Sequence, residues 1–128
     1  MKGILQILLF LMPVFCNSQQ KNIDSLEKLL PSAATDSARF QLLYQIGFNY
    51  CTINYDSALF YCDKSLLAAQ KGGKKLNEAS ALNFKGFLFN RLQRLTESFQ
   101  TITNALQIAE DPQNEFSFWN TWKTGSKR

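Results

Sequence analysis

Two thiols, Cys51 and Cys62, a Gly72-Gly73-Lys74-Lys75 run and a Glu110-Asp111 pair are where residue type and spacing bear on chemistry in this chain. There is no histidine, which removes the commonest general base, the usual nucleophile-base-acid triad and most metal sites. The thiols therefore have no partner base, and a metal site is not supported. The glycines at 3, 47, 72, 73, 86 and 125 match neither a P-loop nor a dinucleotide fingerprint. The Gly-Gly-Lys-Lys run looks faintly like a phosphate loop, but no strand precedes it, so a helix-to-helix linker is expected. Glu110 and Asp111 stand at a helix end beside Pro112, where solvated carboxylates are expected. No enzymatic activity and no cofactor are expected.

The elements that carry these residues repeat. Leu43, Gly47 and Tyr50 are followed 39 residues later by Leu82, Gly86 and Phe89. Ala58, Leu59, Cys62, Ser65, Leu66 and Ala69 are followed 40 later by Ser98, Phe99, Ile102, Ala105, Leu106 and Ala109. A turn between the two blocks absorbs the extra residue. Each copy reads as two helices. Thr35 or Asp36 caps the first, in which Phe40, Leu43, Ile46, Gly47 and Tyr50 recur at helical spacing. Thr52 to Tyr55 breaks the pattern, Asp56 is expected to cap the next helix, and Gly72-Gly73 ends it. The second copy runs from Lys75 to Asn90 and from about Leu95 to Ala109, stopped by Asp111-Pro112. Ahead of both, Ile23 to Leu30 forms a short amphipathic helix halted by Pro31 and packed over the first pair. No stretch shows sustained strand alternation.

These residues resemble the tetratricopeptide repeat (TPR) family, which has an apolar-Gly pair, an aromatic three residues later and small-large-small positions on its second helix. Leu43, Ile46-Gly47, Tyr50, Ala58, Cys62 and Ser65 carry the resemblance in the first copy. Leu82, Gly86, Phe89, Ser98, Ile102 and Ala105 carry it in the second. Departures are Lys85 in the apolar place before glycine, a closing proline that arrives only as Pro112, and a period of 39 to 40 against the usual length of about 34. An ordinary four-helix bundle is the alternative. The resemblance implies an all-α fold of antiparallel helix pairs stacked as a short right-handed solenoid with an N-terminal capping helix. It divides the chain into a capping helix over 19–34, helix pairs over 35–73 and 74–112, and a partial third repeat or tail over 113–128.

It also implies a binding face on the first helix of each pair: Gln41, Tyr44, Phe48, Cys51 and Thr52, then Ser80, Asn83, Phe87, Asn90 and Arg91. The aromatics would grip apolar side chains, and Asn83, Asn90 and Arg91 would hold a peptide backbone or carboxylate. Core packing is the competing role for the aromatics. The expected function is a scaffold that binds a protein or peptide. The alternative is a truncated N-terminal input region, similar to the TPR sensor regions of some bacterial membrane histidine kinases and transcription regulators. Gly125 falls 39 after Gly86, with Phe116, Phe118, Trp119 and Trp122 just upstream, so an interrupted third repeat and self-association through this segment are expected.

Location follows from residues 1–18. Lys2, the apolar run Ile4 to Phe15 and the small-residue exit Cys16-Asn17-Ser18 have the plan of an export signal. The run is shorter than the ~18 residues that a spanning helix needs, and an uncleaved membrane anchor is the alternative. A periplasmic or extracellular location is expected, with Cys51 and Cys62 as small apolar residues on inward helix faces or, alternatively, a disulfide. The net charge of +4 comes from the ends, because ten basic residues between Gln19 and Trp119 balance all ten acids. A body without a basic footprint is not expected to bind nucleic acid.

Overall fold

The computed structural model describes residues 19–114 together with Gly3. The predicted export signal over 1–18, apart from Gly3, and the aromatic segment from residue 115 onward lie outside the described residues. Residues 19–29 are helical (α1) and run into a 3-10 turn at Leu30–Ser32. Four longer helices follow: α2 (Asp36–Tyr50), α3 (Tyr55–Lys71), α4 (Lys75–Arg91) and α5 (Leu95–Glu110). No strand occurs among the described residues.

The local chemistry sets the ends of these helices. The Thr35 hydroxyl accepts the Ala38 amide at 3.1 Å and so starts α2. Asn54 starts α3, its side-chain oxygen accepting the amides of Asp56 at 2.8 Å and Ser57 at 3.1 Å. Asp56, expected as the cap, instead sits inside the first turn, where its charge complements the helix dipole. Asn54 wins because the cap residue must keep extended backbone angles, which it does at φ −156° and ψ 119°. At the other end of α3, Gly73 adopts φ +66°, a left-handed angle that ends helices. α1 ends at residue 29, just ahead of Pro31, which sits in the first positions of the 3-10 turn, where a missing amide proton costs little.

Packing follows the repeat. α2 lies chiefly on α3 and α4 on α5, while α3 meets α4 across a smaller interface. Gly47 and Gly86 make the close approaches within the two pairs. A methyl on Gly47 would stand 3.3 Å from the Ala58 carbonyl oxygen and from the Phe84 ring. One on Gly86 would meet the Ile102 side chain and stand 3.3 Å from the Ser98 carbonyl oxygen. The Ser98 hydroxyl also donates to the Gly86 carbonyl at 2.7 Å, so the small residues of the motif are contact points between helices.

The core sits between the pairs. One cluster joins Phe40, Leu43, Ala68 and Ala69 of the first pair to Ala81 of α4. Another joins Ala58 and Cys62 of α3 to Phe84 and Leu88 of α4. The cap is tied to the first pair: Ile23 is fully buried, and the Tyr61 hydroxyl donates to Glu27 at 2.6 Å. Lys85, the polar departure from the apolar pattern, is accommodated by an ion pair with Asp63 of α3 at 2.7 Å, its ammonium 5.5 Å from the Phe89 ring centre.

Candidate functional site

The face expected to bind lies on α2 and α4, which present their helical repeats at equivalent positions 39 residues apart. Phe48 and Phe87, one such pair, both point to solvent at 64% and 46% exposure. About two thirds of Phe48 and nearly half of Phe87 therefore remain open to a ligand. Gln41, Ser80, Asn83, Asn90 and Arg91 are also exposed.

The remaining residues are more committed. Tyr44 is half-buried between Phe40 and Phe84, with ring centres 5.5 Å and 5.2 Å away, and burial raises its phenol above the ordinary value. Its ring therefore seals the seam between the pairs. Cys51 closes the C-terminal end of α2, half-buried, with its thiol 3.7 Å from the Gly47 carbonyl oxygen. Thr52 donates to Gln19 of α1 at 2.7 Å. Arg91 donates from Nε to the Tyr55 hydroxyl at 3.0 Å and lies 5.6 Å from that ring's centre, which holds the guanidinium against the start of α3. Phe48 keeps one edge near Phe84, at 6.2 Å between ring centres.

The arrangement pairs two exposed rings with amide side chains that both donate and accept, a surface suited to a peptide. It does not assemble a nucleophile with a base. Cys62 is fully buried and its thiol is pushed up to about 12, first by desolvation and then by the Asp63 charge, so it stays protonated near neutral pH. Cys51 is also raised by burial, and the two thiols are free. Among the described residues no cluster of acids and thiols has the arrangement to hold a metal ion, and no helix is long and apolar enough to cross a membrane. The Gly72-Gly73-Lys74-Lys75 run is the turn between α3 and α4, and Glu110 and Asp111 are exposed at the end of α5.

The structure also places apolar side chains where the repeat pattern had them facing inward. Phe99, Ile102 and Leu106 of α5 are 74%, 41% and 54% exposed, although their equivalents 40 residues earlier, Leu59, Cys62 and Leu66, are half-buried or buried. The difference is the neighbour: α4 covers that face of α3, and no described element covers it on α5.

No curated protein and no solved structure is significantly similar to the chain. One family does match, described as the SusR N-terminal TPR domain, over residues 12–126. TPR domains are generally non-catalytic and typically mediate interactions between proteins. The match spans both helix pairs and the cap, so the paired helices, the glycine contacts between them and the tandem register are those of a member of the SusR N-terminal TPR domain family.

Proposed function

We propose that this protein is a non-catalytic scaffold of the cell envelope that holds a protein or peptide partner against the α2 and α4 face. The observation that carries the reading is the matched pair of exposed rings, Phe48 and Phe87, at equivalent positions of two tandem repeats. An extended or helical segment with apolar side chains at matching intervals would seat one on each ring, while Asn83 and Asn90 take its backbone groups. The envelope location rests on the export-signal pattern of residues 1–18.

A second reading is favoured by the family's own description as an N-terminal domain. On that reading the same face is the input surface of a longer signal-transduction protein, a histidine kinase or a transcription regulator, and the bound segment is the signal. Extending the reading frame downstream separates the two: a spanning helix with an output domain supports input, and a stop codon supports the scaffold.

The groove itself is tested with Phe48→Ala/Phe87→Ala. Envelope proteins retained by the wild-type chain should be lost by the variant, while its circular dichroism and melting temperature stay close to wild type, because neither ring is buried. If the variant unfolds, or retains the same proteins equally, the α2 and α4 face is not the binding surface.

A further inference from the structure

We propose that the exposed apolar stripe of α5 is the seat for the chain's own aromatic segment 116–122. The stripe consists of Leu95, Phe99, Ile102 and Leu106, at 60%, 74%, 41% and 54% exposure. Their spacing of four, three and four residues puts them on one side of the helix. Such a row on a small protein is more apolar surface than a helix face ordinarily leaves to water.

The first repeat shows what this face is for. Forty residues earlier on α3, Leu59, Cys62 and Leu66 occupy the equivalent positions, and α4 lies across them through Ala81, Phe84 and Leu88. The helix that follows α3 in the chain is thus the one that covers it. A groove between α4 and α5, lined by Ala79, Asn83, Ile102 and Ala105 among others, remains open at the corresponding place. Asn83 there is the counterpart of Tyr44, against which Phe84 of α4 packs.

The occupant follows from where the chain leaves α5. After Glu110 it turns tightly: Asp111 accepts the Gln113 amide at 2.9 Å and, through its carbonyl, the Asn114 amide at 3.1 Å. The Asn114 side chain then donates back to the Ile108 carbonyl, so the exit point is fastened to the last turns of α5. The next residues contain Phe116, Phe118, Trp119 and Trp122, and Phe116, Trp119 and Trp122 recur at intervals of three, which a helix places on one side. A segment tethered this closely has an effective concentration of order millimolar at the stripe, and so outcompetes a second copy at ordinary protein concentrations. The family match also runs to residue 126, past the turn, and so includes this segment.

Trp119 and Trp122 are the only tryptophans in the chain, so intrinsic fluorescence reads the docking directly. The full chain should sediment as a monomer with blue-shifted tryptophan emission that does not change on dilution. Phe99→Ser/Leu106→Ser should shift the emission to the red while leaving the helical circular dichroism intact, both side chains being more than half exposed. Phe60→Ser, which removes a similarly exposed ring from α3, should leave the emission unchanged. Emission characteristic of hydrated indole in the wild type overturns the proposal. A blue shift that survives Phe99→Ser/Leu106→Ser overturns it too. So does one that disappears on dilution together with a dimer, which would assign the stripe to a second copy.

Discussion

Cys62 lies fully buried in the cluster that joins α3 to α4, its thiol donating to the Ala81 carbonyl at 3.3 Å. Its proton is held to about pH 12, against an ordinary thiol value of 9.0, because the thiolate would be desolvated beside Asp63. The folded state thus binds this proton more tightly than the unfolded chain. The resulting stabilisation is complete below about pH 9 and is lost as pH rises towards 12. Tyr61 acts in the same direction, raised to about 12 by its hydrogen bond to Glu27 and then by burial. Urea unfolding should therefore show stability falling steeply through the alkaline range. At neutral pH, alkylation mapped by mass spectrometry should modify the half-buried Cys51 well before Cys62, and equal labelling would contradict the burial. The sequence placed both thiols on inward faces, and the residue-scale difference between them came from packing: Cys51 ends a helix, whereas Cys62 lies under the next one.

At the scale of the element, the helix boundaries were legible because they depend on neighbours in the chain. Thr35, the α3 stop at Gly72-Gly73 and the α5 stop at Asp111 all fall where the residue types place them. The cap of α3 was misassigned to Asp56 because Asn54 and Asp56 are both competent acceptors, and only the backbone angles choose between them. Gly47 tests the element-scale packing. Alanine normally improves a helix interior over glycine by roughly 0.5–1 kcal/mol. Here its methyl would meet the Ala58 carbonyl oxygen at 3.3 Å and the Cys62 amide nitrogen at 3.4 Å, backbone atoms that cannot rotate away. Overpacking of this kind costs about 1–3 kcal/mol, so Gly47→Ala should destabilise by about 1 kcal/mol net. Chemical denaturation would show it, and a stabilised variant would mean that α2 and α3 separate more easily than their contact implies.

For the whole molecule, stability depends on each pair having a neighbour. α1 supplies that neighbour at the N-terminal end, where Ile23 is fully buried and Tyr61, stacked on Tyr50 at 5.4 Å, is tied to Glu27. Ile23→Ala should cost about 2–4 kcal/mol, a large part of what a small domain has in hand. A thermal melt unchanged by Ile23→Ala would show that α1 is only an appendage. By itself the sequence determined the all-α class, the tandem register and the two close-packing glycines, because helical periodicity and small residues at fixed offsets are written along the chain. It could not distinguish Tyr44 from Phe48, or Cys62 from Ile102. Each member of these pairs has the residue type of a packed position, and exposure depends on which helix lies alongside. The tertiary structure decided that Phe84 of α4 packs against Tyr44 and leaves most of Phe48 exposed, and that α4 covers the α3 face while no described element covers the stripe of α5. Which of several apolar positions ends up covered depends on contacts between elements distant in the chain, and the local pattern does not separate them.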